Sequence, residues 1–390
     1  MKKYSFLDDD LYKFSMQNVC IQLFPNLKVR YKFINRGKTL WPKGMAQKLR
    51  ERIVKLSEDA ILTKDEIEYM SNIRYFNPFF IWCLINYRFD PNEVHISDNI
   101  DDSYIEGYWR TTILWECRIL SMISELYFEM TEQKLPERNV LTKINMSKGW
   151  DFYKNDIKFA DFGTRRRFSF DNHDYVIEDL MKSAQKCLVG TSNVFFAKKY
   201  NIKPIGTMAH EMIMVHSSLY GFHEANKKTL ENWIKVYQGD LGVALPDTFG
   251  TDNFLKDFDT YFAKLFDGCR QDSGVAIEVG YKILNHYQDL KLDDHIIKSK
   301  TIVFSDNLNS IQKILDIENE FKGKIRTSYG IGTFLTNDIP NIKPLNIVIK
   351  LSDVLVGDKW IPTIKLSDDI GKHTGDLETI ELAKRVLSFK

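Results

Sequence analysis

Cysteine is scarce and scattered in this 390-residue chain: Cys20, Cys83, Cys117, Cys187 and Cys269 are odd in number and form no CxxC pair. That spacing argues against structural zinc and against a disulfide framework, and points to a reduced, cytoplasmic protein. Neither charge is in excess. With 54 basic and 53 acidic residues, a broad nucleic-acid-binding surface is not expected, and any anion site must be local. No apolar run is long enough to span a bilayer, and the opening Met1-Lys2-Lys3-Tyr4, soon acidic at Asp8-Asp9-Asp10, is unlike a signal peptide. Internal repeats, low-complexity tracts and an evident Ser/His/Asp or Cys/His arrangement are missing too.

What is plentiful is aromatic: 26 Phe and 18 Tyr supply a substantial core. The length suits one large domain with a smaller one. Early on, Asp8 to Phe24 reads as a helix and Val29 to Asn35 alternates like a strand; Ala46 to Ser57, Lys64 to Asn72 and Thr112 to Met130 read as helices. From residue 157 short apolar runs alternate with helical segments. The runs are Ile157–Ala160, Cys187–Val189, Ile202–Ile205, Leu241–Leu245, Thr301–Phe304, Ile325–Ser328 and Asn346–Ile349. Helical patterns include Met208–Leu219, Asp252–Phe266 and Val275–Leu290. This rhythm predicts an α/β fold, an irregular βα barrel over residues 136–354. A smaller α+β domain is expected from residues 1–135, joined by the tail, about 355–390. In that tail Val354 to Lys365 alternates like paired strands and Thr379 to Phe389 reads as a helix.

In a βα barrel the chemistry lies at the C-terminal strand ends, and there the suggestive residues gather. Asp161-Phe162-Gly163-Thr164-Arg165-Arg166-Arg167 offers a ring face for a planar ligand and guanidiniums for a carboxylate or phosphate. Three consecutive arginines alone would read as a surface run. Similar loops recur, however: Gly190-Thr191-Ser192-Asn193, Gly206 to Glu211, Asp247-Thr248, Arg270-Gln271-Asp272-Ser273-Gly274, Ser305-Asp306-Asn307 and Gly330-Ile331-Gly332-Thr333. The last offers unobstructed backbone N–H groups and a hydroxyl, as phosphate cradles do, or is a plain turn. Asp272 and Asp306 suit ribose hydroxyls, or a Mg²⁺ carrying phosphates, or serve as helix caps. His210 falls in the first turn of a helix capped by Thr207. The helix dipole there keeps the ring neutral and nucleophilic, and a phosphoryl group on it would sit where helix N-termini favour anions. Glu211 points about 100° away around the helix and is not its orienting group.

The ordered motifs, from Asp10-Leu11-Tyr12 through DFGTRRR, GTMAHE, RQDSG, VFSDNL and YGIGT to Lys365-Leu366-Ser367-Asp368, resemble nicotinate phosphoribosyltransferases of the bacterial type. The resemblance implies a type II phosphoribosyltransferase-like fold and condensation of nicotinate with phosphoribosyl pyrophosphate. It also implies ATP and Mg²⁺, coupling through a phosphohistidine at His210, and a homodimer with shared active sites. By position, Phe162 stacks on the pyridine and Tyr12 of the partner subunit covers its other face. Arg165 and Arg270 bind around the ring carboxylate and the phosphates. Asp272 and Asp306 contact ribose or metal; Gly330, Gly332 and Thr333 hold the 5′-phosphate; Thr191 and Ser192 lie beside the substrate.

Ser192 replaces the Asp of related nicotinamide enzymes, so the acid is the expected substrate rather than the amide. Two departures stand out. Val275 follows Asp272-Ser273-Gly274 where the family often has Asp, so no metal ligand is assigned there, and Pro246 precedes Asp247-Thr248. The alternatives are a quinolinate or nicotinamide phosphoribosyltransferase and a non-catalytic nucleotide-binding relative.

Overall fold

The computed structural model describes residues 4–389. The chain divides into two compact units. The first runs to Gly206 and includes Ile331–Lys350; the second is Thr207–Gly330 with the segment from Leu351 onward.

In the first unit, helix Leu11–Leu23 is buried nearly all round, Lys13, Gln17 and Asn18 included. It lacks the polar stripe of a surface helix, so its charges need partners inside the protein. Strand β1 (Lys28–Asn35) alternates, with Val29, Tyr31 and Phe33 inward. Two short strands, β2 (Val94–His95) and β3 (Tyr104–Tyr108), complete an antiparallel set in which β3 pairs with both others, Tyr31 facing Ile105 and Val94 facing the same Ile105. Helix Trp115–Met130 packs on helix Met45–Asp59, and helix Arg138–Lys154 on helix Phe170–Ala184. Strands β4 (Phe159–Asp161) and β5 (Leu188–Thr191) then run parallel, Asp161 beside Thr191.

The second unit is built on four parallel strands that neighbour one another in chain order: β6 (Val243–Ala244), β7 (Gly268–Gln271), β8 (Thr301–Phe304) and β9 (Arg326–Ile331). Helices link them, chief among them Ala276–Asp289 and Ile311–Phe321, whose apolar stripes bury Val279, Ile283, Ile314 and Phe321. A long strand, β10 (Ile347–Val356), turns at Gly357, φ +64°, into β11 (Lys359–Pro362). Helix Leu377–Leu387 ends the described chain.

Mixed α/β architecture, with parallel βα units and a separate antiparallel sheet, is the class the βα rhythm predicted. Local readings differ in three places. Ile202–Ile205 forms only a single parallel bridge, Thr191 to Pro204, because proline has no N–H to give a ladder. Asp252–Phe266 is two helices, Thr251–Asp257 and Thr260–Leu265. The Asp259 carboxylate restarts the second by accepting from the N–H groups of Tyr261 and Phe262, a cap that stabilises by about 1 kcal/mol. Strand β7 was unforeseen, since Gly268-Cys269-Arg270-Gln271 has no apolar run. Among the described residues no helix is long and apolar enough to cross a membrane.

Candidate active site

The parallel registers of the second unit align the ends of β6, β7 and β8, Ala244 beside Cys269 and Gln271 beside Phe304. The residues that follow, Asp247-Thr248, Asp272-Ser273 and Ser305-Asp306, therefore share one rim. Helix His210–Tyr220 begins there. Its cap position is Ala209, not Thr207, whose hydroxyl donates to the Val243 carbonyl. Ala209 offers no side-chain cap to the first turn, where the Met212 N–H bonds the Ala209 carbonyl.

His210 is buried and held on both nitrogens. Nδ1 lies 2.9 Å from Thr248 Oγ1; Nε2 lies 2.8 Å from Asp272 Oδ2 and 2.8 Å from Lys365 Nζ. Burial, then the charge of Lys365, depress its pKa to about 4 against the pull of Asp247 and Asp272. That keeps the ring neutral at physiological pH, and desolvation and an ammonium, rather than the helix terminus, do most of it. Lys365 also bridges to Asp247 Oδ2 at 3.2 Å, and the Ser273 hydroxyl donates to the same oxygen at 2.6 Å. Asp272 accepts from Ser305 Oγ at 3.0 Å and is held well below the usual carboxylate range: burial opposes this, but Arg270, His210 and Lys365 outweigh it. Thr248, Asp247 and Lys365 were not among the predicted site residues. The first two stood at a strand end, a usable signal. Lys365 comes from the tail, whose Leu366 and Ser367 N–H groups bond the Thr248 carbonyl, and no local pattern gives that.

His210, Asp247 and Asp272 each bring a ligand-type atom within 4.8 Å of the others. Mg²⁺ takes a near-octahedral oxygen shell at about 2.0–2.1 Å. Here one donor is an imidazole, and the Lys365 ammonium already lies against that imidazole and Asp247, so this set does not fit a resident Mg²⁺. Arg270 reaches only 3.9 Å to Asp272, and its Nε is buried without a hydrogen-bond partner. Asp306 is paired with Lys372 at 2.8 Å, and Lys372 also reaches Asp369. Gly330 is buried at the end of the second unit.

In the first unit Asp161 is the hub. Its carboxylate accepts from His173 Nε2 at 2.7 Å, Thr191 Oγ1 at 2.6 Å and the Gly163 N–H at 2.9 Å. Thr191 is thereby a structural hydroxyl, and the loop bearing Phe162 is clamped at its root. The Phe162 N–H bonds the Ile331 carbonyl, and the Phe162 carbonyl passes 3.3 Å from where a Cβ on Gly332 would lie. Glycine permits that approach. Gly332 caps the single turn Thr333–Thr336, with Thr333 half-buried.

The three arginines part company. Arg167 is neither a phosphate ligand nor a solvated rim: it is buried, bidentate to Asp8 at 2.7 Å and bonded to Glu125 at 2.7 Å. Arg165 is more than a third exposed and only 3.5 Å from Glu116, a carboxylate already paired with buried Lys13 at 2.5 Å. Burial, and then Arg165 and Arg36, push Arg166 down to about 10. Arg36 is lowered the same way by burial and by Arg165. Arg36, Arg165 and Arg166 thus lie close enough to feel one another's charge, with Glu116 beside Arg165. Tyr12 is buried with its hydroxyl 3.3 Å from Cys117 Sγ, and Ser192 is buried with its hydroxyl donating to Asp10 at 2.7 Å.

A neutral buried imidazole among acids and a lysine at parallel strand ends, in a chain that also carries an aromatic-arginine loop, has the make-up of a group-transfer enzyme. Residues 157–390 match the nicotinate phosphoribosyltransferase (NAPRTase) family, and residues 7–124 match that family's N-terminal domain. The chain belongs to the nicotinate phosphoribosyltransferase family. It is 46% identical over 389 residues to a nicotinate phosphoribosyltransferase of Desulforapulum autotrophicum, covering 98% of each chain. With that of Chromohalobacter salexigens it shares 40% over 388 residues, 99% of this chain and 98% of the relative. Its fold is similar to the crystal structure of nicotinate phosphoribosyltransferase from Porphyromonas gingivalis, with TM-score 0.94 and 38% identity over 99% of both chains. The Vibrio cholerae structure gives TM-score 0.91 and 30% identity, covering 100% of this chain and 94% of that one.

Proposed function

We propose that this enzyme condenses nicotinate with phosphoribosyl pyrophosphate to nicotinate mononucleotide and pyrophosphate, and that ATP hydrolysis is coupled through phosphorylation of His210. The observation that carries this reading is the neutral, buried His210 at a helix start, held by Thr248, Asp272 and Lys365. The pyridine nitrogen attacks C1′ as the C1′–O bond breaks, and the electron pair leaves on pyrophosphate. That nitrogen is already nucleophilic, so no general base is needed; what remains is in-line positioning and charge stabilisation. Phe162 stacks on the pyridine, with Tyr12 of a second copy on the other face in a homodimer. Arg36, Arg165 and Arg166 take anionic groups, Arg270 and Asp272 the phosphoribosyl end, and Asp306 the ribose once Lys372 releases it. Gly330, Gly332 and Thr333 take the 5′-phosphate. Mg²⁺ enters bound to the phosphates of the substrates rather than as a resident ion, and the reaction belongs to the cytoplasm.

One observation favours a second reading, nicotinamide as substrate. With its hydrogen given to Asp10, Ser192 presents lone pairs, which an amide N–H satisfies and a carboxylate does not. The charge of Arg165, more than a third exposed, weighs against it. The test is incubation with phosphoribosyl pyrophosphate, Mg²⁺ and ATP plus nicotinate, nicotinamide or quinolinate, following mononucleotide and ADP. Product from nicotinate is expected. Product only from the amide or the diacid would overturn the assignment.

A further inference from the structure

His210 Nε2 has two neighbours at the same distance, Asp272 Oδ2 and Lys365 Nζ, both 2.8 Å away. A neutral imidazole carries one N–H, so Nε2 either donates to the acid or offers its lone pair to the ammonium. Nδ1 faces Thr248 Oγ1, a hydroxyl that serves equally as donor or acceptor.

We propose that Lys365 decides the choice and is a further catalytic residue: it donates to the Nε2 lone pair, keeps the ring proton on Nδ1, and then accompanies the phosphoryl group placed on Nε2. The inference rests on the reading of His210 as the phosphorylated residue.

The hydrogen-bond inventory supports it. A buried ammonium has three N–H groups to place. Among the described residues, the side chains within hydrogen-bond or ion-pair distance of Lys365 Nζ are His210 and Asp247, with Asp272 and Asp369 near enough to feel its charge. If Nε2 kept its hydrogen, the ammonium would be left with Asp247 alone. Each acid has a donor on its other oxygen: Ser305 reaches Asp272 Oδ1 and Ser273 reaches Asp247 Oδ2, while Asp272 Oδ2 faces Nε2. The backbone of Lys365 is fixed by paired bonds to Thr374, and the two following N–H groups bond the Thr248 carbonyl. The same short segment thus positions two of the imidazole's three partners, Lys365 and Thr248.

The chemical step is balanced. The Nε2 lone pair attacks the terminal phosphorus of ATP, the P–O bond breaks, and its electron pair leaves on ADP. Nδ1 keeps its proton against Thr248. As phosphorus approaches, the Lys365 N–H passes from Nε2 to a phosphoryl oxygen. Two carboxylates, Asp272 at 2.8 Å and Asp247 at 3.8 Å from Nε2, would otherwise repel the arriving anion.

The experiment is long-range ¹H–¹⁵N correlation of His210 in ¹⁵N-labelled whole enzyme near pH 7.5, with transfer of labelled terminal phosphate from ATP in the wild type, Lys365→Met and Lys365→Arg. The expected wild-type tautomer is Nδ1–H, turning to Nε2–H in Lys365→Met. Phosphorylation should fall on the order of a hundredfold in Lys365→Met, as when one transition-state donor is removed, and be partly restored in Lys365→Arg. An Nε2–H tautomer in the wild type overturns the proposal even if no variant folds. So does Lys365→Met phosphorylated at the wild-type rate. A wild-type enzyme with the Nδ1–H ring but no acid-labile phosphate would sink the reading of His210 itself, and the phosphoryl role of Lys365 with it.

Discussion

The hydroxyl of Ser192 donates to Asp10 at 2.7 Å, so a residue expected to donate to the substrate's carboxylate has its hydrogen engaged within the fold. Ser192→Ala should leave a buried carboxylate oxygen short of a donor and cost about 1–3 kcal/mol of stability, read as a lower denaturation midpoint. The KM for nicotinate should hardly move. A large rise in KM with an unchanged midpoint would return Ser192 to the substrate. Ser192→Asp should be worse on both counts, since it sets two buried carboxylates against each other.

Arg165 and Arg167, two residues apart, should fail differently. Arg167→Met strips the cation from buried Asp8 and from Glu125, and breaking such a pair costs about 3–5 kcal/mol. Arg165→Met leaves Glu116 paired with Lys13, so the fold should hold. Turnover of nicotinate should fall roughly tenfold to a hundredfold in kcat/KM, the loss of a charged hydrogen bond to a ligand. Thermal melts beside kinetics separate the two. An Arg165 variant that unfolds but, when folded, turns over normally would remove it from the site.

The contrast marks how far the sequence reached. The loop DFGTRRR was legible as a site because ring, glycine and guanidiniums cluster after an apolar strand. Which arginine faces a ligand was not, because that depends on Asp8, far away in the chain. His210 was legible from its helix start. Its partners were not: Asp272 looked like a ribose or metal ligand, and Lys365 arrives through tertiary pairing of the tail. Strand β7 hid because a strand whose neighbours are β6 and β8 needs no apolar run of its own when Gly268 and Cys269 supply its buried positions. In the same way Pro204 cancelled an apolar run that had looked like a strand.

Gly163→Ala tests the clamp at the root of that loop. A Cβ there would lie 2.2 Å from Thr336 Cγ2 and 2.4 Å from its Oγ1, while Thr336 Oγ1 donates to the Gly163 carbonyl at 2.9 Å. Relief requires moving either the loop of Phe162 or the turn Thr333–Thr336. The variant should lose about 1–3 kcal/mol, as for overpacking in a tight interior, and its KM for both nicotinate and phosphoribosyl pyrophosphate should rise. Wild-type melting and kinetics together would show that the loop yields at no cost.

Two buried histidines set the response to acid. Burial, joined by Lys365, depresses His210 to about 4, and burial depresses His216 to about 4 although it holds the Met212 carbonyl. In the unfolded chain an imidazole titrates near 6.5. Between those values the unfolded state binds more protons, so stability rises with pH across the window and is lost as pH falls from about 6.5 to about 4. Asp9 slopes the other way. Burial raises it to about 7 despite Arg118, so the folded state keeps a proton that the unfolded chain has released. Asp272, Asp247 and Glu116 are lowered and lose their contribution only below the usual carboxylate range. Asp9→Asn removes its share of the opposing slope and leaves those of Glu93, Asp257, Asp306 and Asp368, which burial also raises. In that variant the urea midpoint should fall steadily from pH 7 to pH 4, each histidine accounting for about 3 kcal/mol. His210 phosphorylation should stay level down to about pH 5, because the ring stays neutral there. A midpoint that holds steady, or a phosphorylation rate that halves near pH 6.5, would mean the folded imidazoles take up protons as free ones do, and that Lys365 and burial do not keep His210 nucleophilic.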